Sequence, residues 1–244
     1  MAKYLILSAS SDIGQLTAQN LVANNHKIFI TAREPDKLES LKSNLNCNGK
    51  IVDCADFNEV DKVFDEANSQ LGNIDGVACF AGSVLLKPAH LTSFEEYQHI
   101  ITSNLTCAFA CVRSAGKYLK NGGSVVLLSS AVAMHGLANH EAIASAKGGI
   151  VALAKSASST YASKNIRFNV VAPGLTKTKL TQKITENETS LNYSKAMHAL
   201  SRIGEAQDIA NAVNFLLDIK NNFITGQVLA VDGGLSSVMP KIKI

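Results

Sequence analysis

At 244 residues the chain is long enough to bury the core of one large α/β domain, or of two small ones, and no linker-like stretch divides it. Hydrophobic residues make up 46% and charged residues 18% of it, a balance that excludes a disordered chain and a coiled coil. The net charge of +3 is spread without a basic block, so no nucleic-acid partner is expected.

Strand character begins at Lys3, which leaves no room before it for a signal peptide. Every long apolar run is broken by polar residues before it would span a bilayer, so the expectation is a cytoplasmic protein with no membrane partner. The first strand, residues 4–7, runs into Ser8-Ala9-Ser10-Ser11-Asp12-Ile13-Gly14 and then a helix. A dinucleotide-binding turn asks for three glycines here, for the tight turn, for approach of the pyrophosphate and for helix packing. Only Gly14 is present. Asp12 and Gln15 have the spacing of a capping box, in which Asp12 accepts from the Gln15 amide and Gln15 reaches back. The second strand, 27–31, is followed by Ala32-Arg33, with no acid for a ribose 2′-hydroxyl and an arginine suited to a 2′-phosphate.

A third strand at 50–52 leads to Asp53-Cys54, and Val60, Val63, Phe64, Ala67 and Leu71 recur at helical spacing. The strand at 74–80 ends on Ala81-Gly82, and the strand at 124–129 precedes Ser130. A strand at 167–171 leads to Pro173-Gly174 and the last strand covers 228–231. The polar stretch from 176 to about 201 is long for a connection and is read as a mobile lid; residues 239–244 form a short tail. Cys47, Cys54, Cys79, Cys107 and Cys111 are odd in number and lack C-x-x-C spacing, so they are read as reduced thiols in or near the core, with no metal site.

This alternation is βαβ repetition from end to end. It predicts one doubly wound α/β Rossmann domain over 1–244, a seven-stranded parallel sheet with helices on both faces. In such sheets ligands bind beyond the carboxyl ends of the strands, where every motif above falls.

Ser129-Ser130 followed by Ala142-Ile143-Ala144-Ser145-Ala146-Lys147 resembles the Ser…Tyr-x-x-x-Lys active-site helix of the short-chain dehydrogenase/reductase family. The likeness extends over essentially the whole chain through Ser103-Asn104-Leu105, Pro173-Gly174-Leu175-Thr176-Lys177-Thr178 and Ile224-Thr225-Gly226-Gln227…Val231-Asp232-Gly233-Gly234, above all to ketoacyl-carrier-protein reductase-like members. It implies NADP(H) more than NAD(H), bound by Ser8, Ser10, Ser11, Asp12, Ile13, Arg33, Asp53, Cys54, Ala81, Gly82, Lys147, Pro173, Gly174, Thr176 and Thr178. With Ser8 and Asp12 in place of two glycines, two readings stay open: an adapted loop that still binds the phosphates, and a self-capped helix end at which that binding is weak or lost. The resemblance also implies a homodimer or homotetramer built through helices at about 94–120 and 141–163 and the last strand.

In that family a phenol donates a proton to the substrate carbonyl oxygen while hydride arrives. Serine holds the oxygen, lysine lowers the phenol pKa and binds ribose, and asparagine holds a water. Ser130, Lys147 and Asn104 match those three. Counting thirteen residues on from Ser130 and four back from Lys147 both arrive at Ile143, the position of the lost tyrosine, which can donate no proton. His140, three residues earlier, is a candidate substitute acid; Tyr193 and His198 on the lid are more remote.

Two functions stay open. One is NADP(H)-dependent carbonyl/alcohol interconversion with impaired proton transfer on a small-molecule substrate. The other is a non-catalytic pseudoenzyme, a nucleotide sensor or oligomeric interaction protein, suggested by losses at Ser8 and Asp12, at Cys79-Phe80 where the family carries two asparagines, and at Ile143.

Overall fold

The computed structural model describes residues 1–239, so all of the tail expected at 239–244 except Met239 lies outside the described residues. Seven strands form one parallel sheet: β1 (Lys3–Leu7), β2 (Lys27–Ala32), β3 (Asn48–Ile51), β4 (Gly76–Cys79), β5 (Gly123–Leu128), β6 (Ile166–Pro173) and β9 (Val228–Val231). Their order across the sheet is β3-β2-β1-β4-β5-β6-β9, the doubly wound arrangement expected from the βαβ rhythm. Because helices cover both faces, the inner strands are apolar on both sides, and Leu5, Ile6, Leu7, Phe29, Val125, Val126 and Leu127 are fully buried.

On one face, α1 (Asp12–Ala23), α2 (Pro35–Leu45) and α9 (Ala206–Leu217) bury Ala18, Leu21, Leu38, Ile209 and Val213 against Ile6, Ile30 and Val126. On the other, α3 (Phe57–Leu71), α5 (Cys107–Tyr118) and α6 (Glu141–Thr160) bury Val60, Phe64, Ala110, Cys111 and Ile150 against Leu5, Leu7 and Val125. Each large apolar side chain so buried contributes about 1.5–3 kcal/mol before the entropy of ordering it. Four of the five cysteines are buried, and none is in a disulfide.

Sheet order reverses between β1 and β4: the chain leaves β1 toward β2 and β3, then crosses to β4 on the other side. The connections beyond their carboxyl ends therefore turn to opposite faces and leave a crevice between them, with Ser8 and Phe80 the first residues after the two strands.

Two features depart from the expected elements. The helix read at about 94–120 is α4 (Phe94–Ile101), a π-helical turn Thr102–Thr106, and then α5. The stretch at 176–201 carries α7 (Gln182–Thr185) and α8 (Glu188–Met197), and its ends are joined by β7 (Thr176–Lys177) pairing with β8 (Gly204–Glu205). Strands of two residues are too short for a period-two pattern to announce them. Among the described residues no helix is long and apolar enough to cross a membrane.

Candidate functional site

A cleft of about 650 Å³ opens at the carboxyl ends of the strands. All the residues expected to hold a dinucleotide lie on its walls, from Ser8 through Arg33, Asp53, Cys54 and Gly82 to Thr178.

The turn after β1 keeps the shape a glycine would take. Ser8 has φ 57°, the left-handed region, and is held there by its amide donating to Thr31 Oγ1 at 2.9 Å. A side chain in that region costs on the order of 1–2 kcal/mol, which the surrounding fold must supply. Its hydroxyl lies 3.4 Å from Cys54 Sγ, and burial pushes that thiol up to about 12, so it stays neutral. Gly14 is required by closeness: a Cβ there would come within 2.8 Å of Ser11 Oγ and 3.0 Å of Ala9 Cα.

The capping box expected at Asp12 and Gln15 is not formed. Ser11 is the cap, its hydroxyl accepting from the Gly14 amide at 3.1 Å, and Gln15 Nε2 donates to Ser10 O at 3.0 Å. Asp12 is instead the first helical residue, and its carboxylate accepts from the Lys179 backbone amide at 2.6 Å, tying the turn to the segment after β7. The amides of Asp12 and Ile13 precede the first intrahelical bond and have no partner within the helix, so they are donors available to an anion.

At the far end of the cleft stand Arg33 and Lys37, the second one turn along α2 and paired with Glu34 at 2.7 Å. The i,i+4 spacing of the two cations is visible in the sequence, although Lys37 is not singled out there. Asp53 Oδ1 accepts from the Ala55 amide at 3.0 Å, which closes the turn after β3.

The catalytic candidates gather at the opposite end. Ser130, Ile143 and Lys147 all line the cleft. Ser130 Oγ has only long partners, the Val132 amide at 3.4 Å and the Pro173 carbonyl at 3.5 Å, which leaves it free to turn to a ligand. Ile143 is 4% exposed and belongs to a small apolar cluster with Ile100, Ala142 and Ala146, against which Leu85, Ile101, Leu105 and Val132 pack. Asn104 is fully buried behind Ser83. Its Nδ2 donates to Ile100 O at 2.9 Å, and Oδ1 accepts from the Ser83 amide at 3.4 Å. Asn104 lies inside the π-turn, where its side chain takes up a carbonyl of the preceding helical turn.

Lys147 Nζ donates to Leu128 O at 2.9 Å, while Ser129 Oγ donates to Lys147 O at 2.9 Å and so holds α6 on the end of β5. Burial pulls the ammonium down from 10.5 to about 8, opposed only by Cys79 and Cys107. A lysine depressed on folding withholds stability while it must be buried charged. Its contribution is full above the unfolded pKa of 10.5 and is lost as pH falls through about 8. Urea denaturation of the wild type, compared with Lys147→Met, is therefore expected to show a stability difference rising by about 3 kcal/mol across that window. A flat difference would show the amine to be unperturbed.

His140 does not line the cleft, which departs from its expected role. It is the residue before α6, not part of it: Asn139 at φ 64° breaks the helix ahead of it, and its Nδ1 sits 2.7 Å from Ala138 O. Tyr193 is 67% exposed, and it too is off the cleft wall. His198, which caps the end of α8, is buried, with Nδ1 donating to Ser194 O at 2.6 Å and Nε2 left without a partner. It packs so closely on Gly174 that a Cβ there would come within 2.6 Å of Nε2. The cleft also takes in His99, Thr102 and Ser103 from the segment around the π-turn, together with Lys179 from the segment after β7. His99 and Thr102 carry no marker in the sequence, and Ser103 enters it only as the neighbour of Asn104, because the π-turn rotates the face that α4 and α5 present.

Comparison with known proteins agrees with this geometry. The profile of a family described as enoyl-(acyl carrier protein) reductase matches residues 8–236. The chain is 29% identical over 238 residues to the 3-oxoacyl-[acyl-carrier-protein] reductase FabG of Escherichia coli, covering 96% of this chain and 97% of that one. It is 31% identical to carbonyl reductase family member 4 of Xenopus laevis, over 94% of this chain and 96% of the other. Among solved structures, a short-chain type dehydrogenase/reductase from Mycobacterium ulcerans superposes with a TM-score of 0.91 at 29% identity, covering 96% and 90% of the two chains. ElxO with NADP bound superposes at 0.90 with 28% identity, covering 97% and 99%.

Proposed function

Because the chain belongs to the short-chain dehydrogenase/reductase family, we propose that it is an NADP(H)-dependent oxidoreductase of carbonyl and hydroxyl groups whose proton-transfer step is impaired. The observation that carries this reading is a single cleft with Arg33 and Lys37 at one end and Ser130, Ile143 and Lys147 at the other. The residues fit a dinucleotide: Gly14 supplies the close approach, the amides of Asp12 and Ile13 are free of intrahelical partners, and Arg33 and Lys37 are the cations for a 2′-phosphate. Thr176 and Thr178 would hold the carboxamide end and Lys147 the ribose. The chemistry supplied by the dinucleotide when bound is hydride transfer.

The chain's own residues do the rest. Ser130 orients the carbonyl oxygen through its loosely held hydroxyl, and Asn104 and Lys147 keep the polar wall of the cleft in place. Ile143 contributes an apolar surface and no proton. Turnover then draws on orientation and on solvent, which explains why activity would be low without being absent. Assembly as a homodimer or homotetramer through α4, α5, α6 and β9 belongs to the same reading, and the exposed Phe94 and Phe109 on the first two of these helices support it.

A second reading has its own support in Asp12, whose carboxylate lies in the phosphate turn and is already satisfied by Lys179. On that reading the fold is a pseudoenzyme that senses a nucleotide or serves in assembly. Steady-state oxidation of NADPH across a panel of ketones and aldehydes separates the two. Turnover lost on Ser130→Ala supports the oxidoreductase, and its absence at high enzyme concentration supports the sensor. For selectivity, Arg33→Ala is expected to weaken NADPH binding on the order of tenfold while leaving NADH nearly unchanged, in parallel titrations of the two. Equal losses would remove Arg33 as the reader of the 2′-phosphate.

A further inference from the structure

Lys147 has surroundings that a purely ribose-binding lysine does not require. Its Nζ reaches a wall of the cleft where a Cβ on Gly82 would lie 3.5 Å away, with Asn104 Oδ1 3.0 Å from the same point. The groups acting on it are Cys79 from β4 and Cys107 from α5. Among the described residues no carboxylate pairs with it. Its one acceptor is the Leu128 carbonyl, which a neutral amine satisfies with one N–H while keeping its lone pair for another partner. One helical turn earlier, Ile143 ends well short of where a phenol would reach, so the amine is not screened by a ring hydroxyl.

We infer that Lys147 captures small aldehydes and ketones in this cleft as imines, an activity separate from hydride transfer. The nitrogen lone pair forms the C–N bond as the carbonyl π pair moves to oxygen. The resulting carbinolamine then expels that oxygen as water, which takes both amine protons, and nothing is oxidised or reduced. Ser130 holds the carbinolamine oxygen, since its hydroxyl has no short bond to give up. The amine is ready near neutral pH because burial without a counter-carboxylate brings it down to about 8.

Propionaldehyde with sodium cyanoborohydride reduces such imines to stable alkyl-lysine, which peptide mapping by mass spectrometry locates and times. At pH 8 Lys147 is expected to be alkylated roughly tenfold faster than the exposed Lys37 and Lys179, because burial leaves about half of it neutral even though a less basic nitrogen attacks more slowly. Its rate should level off above that pH. In Ile143→Tyr the ring fills the approach, and labelling of Lys147 is expected to fall about tenfold with Lys37 and Lys179 unchanged. Lys147 labelled no faster than Lys179 at every pH would overturn the inference, as would an Ile143→Tyr variant labelled at the wild-type rate. Failure of NADPH to bind would count against the oxidoreductase reading alone, because the labelling uses no dinucleotide.

Discussion

Replacing Ile143 with tyrosine is expected to raise NADPH-dependent ketone reduction on the order of 10²–10⁴-fold, the worth of a positioned general acid. Ile143 faces the cleft one turn before Lys147, on the same wall as Ser130. A tyrosine ring would stay in the apolar cluster of Ile100, Ala142 and Ala146 and carry its hydroxyl out into the cleft. There the Lys147 ammonium would lower the phenol pKa, the arrangement that makes tyrosine a usable acid near neutrality. The gain should appear in kcat more than in KM, since the proton is needed only as the carbonyl oxygen becomes an alkoxide. Ile143→Phe is the control: a ring without a hydroxyl should bring no gain. If tyrosine and phenylalanine variants behave alike, position 143 is not where the proton enters.

Replacing Asp12 with glycine is expected to tighten NADPH binding roughly tenfold to a hundredfold. A carboxylate about 5 Å from a doubly charged pyrophosphate costs on the order of 1–3 kcal/mol at a dielectric between surface and bulk values. The tie to the Lys179 amide adds to the obstacle, because a bound phosphate must share or break it. Asp12→Asn separates the two effects, since it removes the charge and keeps the bulk. Most of the gain should already appear in asparagine, and it should shrink as salt screens the repulsion. Calorimetric titration of the three proteins at two ionic strengths measures this. A glycine variant that binds no better than wild type would mean that the pyrophosphate does not come near Asp12.

The sheet was legible because its inner strands are buried on both faces and therefore read as short apolar runs, while α3 shows its helical period in Val60, Val63, Phe64 and Ala67. The cleft was legible because strand ends in such a sheet converge, which brings Ser8, Arg33, Asp53 and Gly82 together from separate βα units. What was not legible depended on long-range or irregular geometry. Ser11 and Asp12 are both good caps with adjacent spacings; Ser11 is the one used, and the Asp12 carboxylate is taken up by the amide of Lys179, 167 residues away. His140 shares a face with Ile143 and Lys147 only if α6 extends back to it. It does not: His140 is the cap residue, with φ −113° and ψ 11°, and the left-handed Asn139 lies just before it. His99 and Ser103 come to the cleft through the π-turn at Asn104, which ordinary helical counting does not contain.

The retained dinucleotide site is the claim on which the rest depends, and titration of the wild-type protein with NADPH and NADH, followed by nicotinamide fluorescence, tests it most directly. The expected result is saturable binding of NADPH, weaker than in Asp12→Gly and tighter than that of NADH. Absence of binding by either nucleotide, from a protein shown to be folded, would contradict it.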